Sequence, residues 1–344
     1  MKQIKLVTIL TVGVLSMLIS SCENQEVDFP DFDYSTVYFA YQYPVRTIVL
    51  GEDTYDTSLD NQHKFEIYAT MGGVYANKKR VAIDFVVDNS LTNKLFFSVG
   101  DPVKPMPADY YTLAGNQIVL DKSLQGAVGV QLSDAFFADP NSLKNSYVVP
   151  LRMTKVVNAD SILSGRGSVD DPVRTNPADW EVNALPKDYV LYCVKFINQY
   201  HANYLRRGVD QITKDGTTST VLRHKQHVEN DELSKLTTAS LTSNEYIVSV
   251  LKADDTYEDC NLLLTFDTSN KITVSATTAG YVAAGTGSFV PKGEKKSWGN
   301  KDRDVVYLDY TITAASGISY ATKDTLVARD RGVSIETFNP SYIK

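Results

Sequence analysis

The sequence is poor in the residue types that build metal sites and nucleophilic centres. It holds only 3 cysteines and 4 histidines in 344 residues. It has no Gly-x-Ser-x-Gly element, which carries the serine of many hydrolases. The segment Gly285-Thr286-Gly287-Ser288 lacks the Gly-Lys-Ser/Thr ending of a phosphate-binding loop. We therefore predict no metal, no cofactor and no enzymatic activity.

Positive charge is also scarce. The chain has 34 Lys and Arg against 41 Asp and Glu, which gives a net charge of -7. Nucleic acids and anionic lipid surfaces bind clusters of Lys and Arg. We therefore expect no nucleic-acid partner, and contact with a membrane only through a covalent anchor.

Long hydrophobic runs are absent as well, and the apolar run at residues 6–19 is too short for a spanning helix of ~20 residues. Lys2 and Lys5 precede this run and small residues follow it, as in an export signal. Its end, Ile19-Ser20-Ser21-Cys22, resembles the lipobox of bacterial lipoproteins. The resemblance implies a signal peptide at residues 1–21, an acylated Cys22 and a tether at 22–34. The alternative is an ordinary secretory signal with a cysteine there by chance.

Two cysteines remain once Cys22 is acylated. Export permits a disulfide between Cys193 and Cys260. Cys193 lies in a strand-like apolar run, where a free cysteine behaves as a small core residue. The sequence favours two buried thiols, and a bridge is the alternative.

The mature chain divides into two strand-rich halves. At residues 35–160, short runs alternate between apolar and polar residues, as Val37, Phe39, Tyr41 and Tyr43 do, and turn formers separate the runs. This pattern predicts an immunoglobulin-like β-sandwich. Residues 161–187 are rich in Gly and Pro and predict a linker. Residues 188–344 contain eight or more sequential strands, which indicates an up-and-down β-barrel or a second sandwich.

Several segments carry a resemblance to one family; they are Met106-Pro107-Ala108-Asp109-Tyr110-Tyr111, Tyr147-Val148-Val149-Pro150-Leu151, Lys195-Phe196-Ile197-Asn198, Tyr204-Leu205-Arg206-Arg207-Gly208 and Trp298-Gly299-Asn300-Lys301. Together they resemble surface lipoproteins of Bacteroidota polysaccharide-utilisation loci. Met106 replaces the usual Leu, and Ala202 stands where Gly is expected. The resemblance implies an all-β chain, with an immunoglobulin-like sandwich followed by a calycin-like (lipocalin-like) barrel.

The same resemblance implies a function and a location. The chain is expected to bind an oligo- or polysaccharide without catalysis and to deliver it to a glycan uptake complex in the outer membrane. It would be lipid-anchored there and face the cell surface.

Exposed aromatic rings are the best candidates for sugar contacts, because the C–H face of a sugar packs on an aromatic ring while amides and charged groups hold its hydroxyls. Three regions combine these groups; the candidate ligand-binding residues are Trp298 with Asn300 and Arg303, Trp180, and Tyr200 with Tyr204. The alternative for each ring is structural. Trp298 would cap the barrel, Trp180 would wedge the two domains together and Tyr204 would lie in the core.

Two smaller clusters are weaker candidates for a metal site. His224 and His227 would point to opposite faces of a strand. Residues 254–259 hold four carboxylates, which could bind calcium but fit a solvated hairpin tip better.

Two rival functions remain open. One is a structural or adhesive, fimbria-like subunit that donates a strand to its neighbour. The other is a glycoside hydrolase, which needs two carboxyls about 5–5.5 Å or about 6.5–9.5 Å apart. With 41 acidic residues, the sequence selects no such pair.

Overall fold

The computed structural model describes residues 31–343. The predicted signal peptide, Cys22 and most of the predicted tether lie outside these residues. The described chain is all-β, as expected, with a few short helical turns. Within residues 31–343, no helix has both the length and the apolar character needed to span a bilayer.

The first module is a two-sheet sandwich. Its strands are β1 (Thr36–Tyr38), β2 (Pro44–Val49), β3 (Lys64–Gly72), β4 (Arg80–Val87), β5 (Leu95–Ser98), β6 (Asp101–Pro102), β7 (Lys104–Pro105), β8 (Tyr111–Leu113), β9 (Gln117–Asp121), β10 (Gln125–Leu132), β11 (Tyr147–Val157), β12 (Ser161–Ile162) and β13 (Tyr189–Ile197). One sheet has the order β12-β1-β3-β10-β8, and the other contains β2-β13-β11-β4-β9. Apolar side chains of both sheets share one hydrophobic cluster.

Short helical segments occupy the connections of this module. They are the α-helices α1 (Ser58–Asn61) and α2 (Asp134–Ala138) and the 3-10 helices Asn89–Thr92, Pro140–Leu143 and Pro177–Asp179. The run from Val37 to Tyr43, predicted as one strand face, is instead broken between β1 and β2.

The structure corrects the predicted start of the second domain at residue 188. Strand β13 pairs antiparallel with β11 and parallel with β2, so it completes the sandwich. Its residues alternate into the sandwich core at Val190, Val194 and Phe196. The predicted linker therefore leads back into the first module, because the apolar pattern of β13 identifies a strand but not its partners.

The second module is a closed eight-stranded barrel with one additional strand. Its strands are β14 (Ala202–Lys214), β15 (Thr217–Arg223), β16 (Glu232–Ser240), β17 (Ser243–Leu251), β18 (Tyr257–Phe266), β19 (Lys271–Ala276), β20 (Tyr281–Glu294), β21 (Arg303–Ala314) and β22 (Ser319–Asp330). Strands β16 to β22 follow one another around the wall, and β14 closes it by pairing with both β16 and β22. Strand β15 pairs with β14 outside the closed ring.

After the barrel, the chain returns to the first module. Strand β23 (Glu336–Thr337) pairs with β2, and β24 (Ser341–Tyr342) pairs with β5. The first module is therefore built from both ends of the described chain, and the two modules are joined at two points of the sequence.

Cys193 and Cys260 are free and buried, as the favoured alternative predicted. Cys193 lies on β13 of the sandwich and Cys260 lies on β18 of the barrel. Burial raises the pKa of the Cys193 thiol to about 12, so this thiol stays protonated at neutral pH.

Candidate functional site

A cleft of about 510 Å³ lies between the sandwich and the barrel. The sandwich contributes residues 52–55, and the barrel side contributes Lys292, residues 302–304 and residues 328–333. We call this space the junction cleft. Its lining combines charged groups of both signs with the half-exposed ring of Tyr55, which is 43% exposed.

The sandwich wall of the cleft is fixed by a network of hydrogen bonds below it. Gly51 has a φ of +88°, and a Cβ there would stand 2.8 Å from the Cβ of Gln199. Thr57 Oγ1 donates to the Gly51 carbonyl at 2.7 Å, and buried Asp60 accepts from the Val49 N–H at 2.9 Å. The turn that carries Tyr55 is therefore held in place by bonds within the sandwich, and Gly51 lets it pass close to Gln199.

Arg331 forms the base of the cleft and joins the two modules. Its Nη1 donates to the Glu52 carbonyl at 2.9 Å, and Nη2 donates to those of Leu50 and Asn198 at 3.0 and 2.7 Å. Its Nε donates to the His201 carbonyl at 2.6 Å. Burial lowers the pKa of Arg331 below its ordinary value. One guanidinium thus binds four backbone carbonyls, two in the sandwich turn at residues 50–52 and two in the connection between β13 and β14.

Arg303 is held in the barrel wall of the cleft by Trp298. Its guanidinium carbon lies 3.6 Å from the centroid of the Trp298 ring, a cation–π distance. Its Nη2 donates to the Trp298 carbonyl at 3.3 Å, and Trp298 Nε1 donates to the Ala328 carbonyl at 3.2 Å. Partial burial lowers the pKa of Arg303.

Ion pairs and hydrogen bonds order the charged rim. Lys292 Nζ lies 2.7 Å from Glu52 Oε2, and this contact raises the pKa of Lys292. Asp302 accepts from the Lys296 N–H at 3.0 Å and from Lys295 Nζ at 3.0 Å, which lowers its pKa. At neutral pH the rim therefore presents ionised carboxylates and ammonium groups side by side.

Three of the predicted ligand-binding aromatics are core residues instead. Trp180 is only 7% exposed and donates through Nε1 to the Val173 carbonyl at 2.9 Å. Tyr200 stacks on Phe266 with the ring centroids 3.6 Å apart, and Tyr204 is 1% exposed. A buried ring offers no face to a sugar, so these three assignments are corrected.

The predicted group Trp298, Asn300 and Arg303 is divided by the structure. Trp298 is half-buried against Leu205, Val305 and Val327, and Arg303 covers its ring. Its contribution is therefore to position Arg303, which does line the cleft. Asn300 is exposed in the Trp298–Asn300 turn and is not among the residues that line the cleft.

Several residues of the cleft were not predicted from the sequence, namely Asp53, Tyr55, Lys292, Asp304 and Arg331. The sequence Gly51-Glu52-Asp53 is typical of a turn and by itself indicates no binding site. Its proximity to residues 328–333 depends on how the modules pack, and no local pattern reports that.

The two weaker clusters lie away from this cleft. His224 is exposed, and its Nδ1 lies 3.2 Å from the Lys225 carbonyl. In the acidic turn after β17, Asp255 pairs with Lys214 at 2.6 Å. Among residues 31–343, no group of three or more His, Cys, Asp or Glu is arranged to hold a metal ion.

Comparison with known proteins identifies relatives of both modules. A domain of unknown function, DUF5627, matches residues 199–332, and a family described as an N-terminal domain matches residues 32–160. No curated protein matches the chain.

Two solved structures from Bacteroides ovatus are similar to the chain. One, of unknown function, is 45% identical with a TM-score of 0.87 and covers 91% of this chain and 100% of its own. The other, described as a "putative carbohydrate binding protein", is 13% identical with a TM-score of 0.29 and covers 89% and 99%. The chain therefore belongs to the same family as the first of these Bacteroides ovatus proteins, and its barrel is similar to DUF5627 domains.

Proposed function

We propose that the protein is a non-catalytic glycan-binding lipoprotein of the cell surface and that the junction cleft holds the glycan. The observation that carries this proposal is the half-exposed ring of Tyr55 in a cleft lined by ordered charged groups. A sugar presents both kinds of surface that such a cleft contacts, an apolar C–H face and a rim of hydroxyls.

The geometry gives each group a role. Tyr55 would pack against the C–H face of one sugar. Arg303, whose guanidinium is held by Trp298, would donate to hydroxyl oxygens, while Asp304 would accept from hydroxyl groups. A cavity of about 150 Å³ holds one benzene-sized ring, so 510 Å³ provides room for about three sugar rings.

The proposed location follows from the export signal. Acylation of Cys22 would anchor the chain in the outer membrane, and a 13-residue tether at 22–34 reaches at most about 45 Å. The sandwich would then hold the junction cleft away from the lipid, and bound glycan would pass to a partner uptake complex.

The test is calorimetric binding of the soluble chain from Glu23 onward to a panel of plant and host glycans. Any hit is repeated with Tyr55→Ala and Arg303→Ala. The matched control is Tyr75→Ala. Tyr75 is also exposed, but it follows the C-terminal end of β3, whereas the turn at residues 51–61 precedes the N-terminal end of that strand. We expect the two cleft variants to lose at least about tenfold in affinity while the control binds as the parent does.

The same panel distinguishes the rival functions. Release of shorter products from a bound glycan would instead identify a glycoside hydrolase. Polymerisation of the purified chain, without glycan binding, would instead identify a structural or adhesive subunit.

A further inference from the structure

The barrel wall has an opening between β15 and β17. Strand β14 pairs with β16 only up to Arg206, and from Gly208 onward it pairs with β15. Strand β16 begins its pairing with β17 at Leu236 and Tyr246. The next residues of β17, 247–251, lie beyond that pairing and continue the ladder with β18. The separation leaves a cavity of about 170 Å³, which we call the wall pocket.

The wall pocket has an apolar side of one-ring size. Its aliphatic lining residues are Ile212, Val221, Val248, Val250 and Ile312. An engineered cavity of about 150 Å³ lined by apolar side chains binds benzene, so the volume of the wall pocket suits a single six-membered ring. The wall pocket and the junction cleft share no lining residue.

The other side of the wall pocket is an ion network inside the barrel. Asp324 is buried and accepts from Arg206 Nη2 at 3.1 Å and from Arg223 Nη2 at 2.8 Å. The hydroxyls of Tyr246 and Tyr310 donate to the same carboxylate at 3.0 and 2.9 Å. Burial opposes ionisation of Asp324, but the two guanidinium groups hold its pKa below the ordinary value.

The second carboxylate of the network, Asp210, is also supplied with donors. It accepts from Arg223 Nε at 2.7 Å, from Arg223 Nη2 at 2.8 Å and from Thr322 Oγ1 at 2.7 Å. Both buried carboxylates therefore have the hydrogen bonds that they need.

The two arginines still have donors to offer. Arg206 Nη1 reaches Glu232 Oε1 only at 3.5 Å, and the Glu232 side chain is 52% exposed. Within residues 31–343, Arg223 Nη1 is buried without a hydrogen-bond partner. An N–H donor of a buried guanidinium that has no acceptor is costly, so a ligand that brings acceptor oxygens would be favoured here.

We propose that the wall pocket binds a ring-sized carboxylate, such as a single uronic acid unit. The carboxylate accepts from Arg206 Nη1 and Arg223 Nη1 and replaces Glu232 at Arg206. The ring lies against Val221, Val248 and Val250. Charge assistance and the fork geometry of guanidinium groups make carboxylate a better match than a neutral hydroxyl.

The test is calorimetry of the soluble chain from Glu23 onward with two matched pairs of probes. D-glucuronate is compared with D-glucose, and benzoate is compared with benzyl alcohol. We expect at least one acid to bind, with its neutral partner at least about tenfold weaker. Binding of glucuronate identifies an acidic sugar as the ligand, and binding of benzoate alone identifies a non-sugar carboxylate. Failure of both acids at millimolar concentration, or equal binding of acid and neutral probes, overturns the proposal.

Two variants with opposite expected effects on binding locate the site. Glu232→Gln removes the competing carboxylate and should tighten binding about twofold to fivefold. Arg223→Gln should weaken it at least about tenfold. The control for Arg223→Gln is Lys323→Gln, which also removes one positive charge, but at an exposed residue next to Asp324 in the chain.

If Arg223→Gln does not fold, the Glu232→Gln result decides, because that side chain is half exposed. Unchanged binding in Glu232→Gln and Arg223→Gln would overturn the proposal. The cleft variant Tyr55→Ala should bind the acid normally, which separates this result from the test of glycan binding.

Discussion

The two modules have opposite interiors although both are built from β-strands. The sandwich buries an almost purely apolar cluster, and its buried aspartates, Asp60 and Asp188, lie in connections rather than on sheet faces. The barrel carries buried charge on the strands themselves, at Arg206, Asp210 and Asp324. The stability of the sandwich therefore depends on apolar packing, whereas the stability of the barrel also depends on buried ion pairs. The glycan site that we propose uses both modules, because Tyr55 comes from the sandwich and Arg303 from the barrel.

The largest loss of stability is expected from Asp324→Ala. The substitution leaves Arg206 and Arg223 buried without their shared carboxylate, so we expect it to destabilise the protein by about 3–5 kcal/mol. The matched sandwich change Ile83→Val should cost about 0.5–1.5 kcal/mol. Denaturant unfolding measures both. Equal costs for the two variants would contradict the contrast between the interiors.

The next effect concerns the joint between the modules. Arg331→Ala removes four hydrogen bonds to backbone carbonyls at the base of the cleft, and we expect a loss of at least about 2 kcal/mol. Calorimetric unfolding should then separate into two transitions, one for each module. A single transition with an unchanged midpoint would show that the joint does not depend on Arg331.

A pH effect of similar size is expected at the same joint. Burial lowers the pKa of His201 from 6.5 to about 4, with help from Lys235 and Arg331. Between those two pH values the unfolded chain binds a proton that the folded chain does not, so stability falls as the pH drops from 6.5 towards 4. Over this whole pH range, the free energy of unfolding falls by about 3 kcal/mol.

The measurement is the free energy of unfolding at pH 7 and at pH 4.5, for the parent and for His201→Gln. The variant should lose stability less steeply than the parent between these pH values. The control is His224→Gln, since His224 is exposed. An identical slope for the parent and His201→Gln would contradict the assignment.

The smallest effect is expected at the rim of the cleft. Lys292 and Glu52 are both largely exposed, so Lys292→Ala should leave the unfolding midpoint unchanged within error. The same variant should weaken binding of a glycan in the junction cleft. A clear loss of stability would instead show that this ion pair helps to hold the two modules together.

The sequence allowed the all-β fold to be predicted, because two-residue periodicity and turn residues mark strands directly. The sequence did not reveal β14, the strand that closes the barrel by pairing with β16 and β22, because Arg206, Gly208 and Asp210 face inward where an apolar residue is expected. Gly208 lies so close to β22 that a Cβ would stand 2.1 Å from the Lys323 carbonyl. From the sequence alone, an inward-facing charged residue cannot be distinguished from a surface residue, because its partners on β15 and β22 are not known.

The candidate site was less predictable than the fold. Aromatic residues in polar segments suggested exposure, but Tyr200 and Tyr204 pack in the barrel core. Their hydroxyls still have hydrogen-bond partners there, the Asn270 side chain in the β18–β19 turn and the Tyr200 carbonyl. Arg303 was predicted as a ligand-binding residue together with Trp298, and that role stays a prediction. Its place in a cleft depends on residues 52–55, some 250 positions earlier in the chain. Such long-range proximity has no local signature.

The most direct test of the central claim is a crystal structure of the soluble chain with the best-binding glycan from the panel. We expect a sugar ring packed on Tyr55 in the junction cleft, with its hydroxyls within hydrogen-bond distance of Arg303 or Asp304. A glycan bound elsewhere, with the junction cleft occupied by water alone, would contradict it.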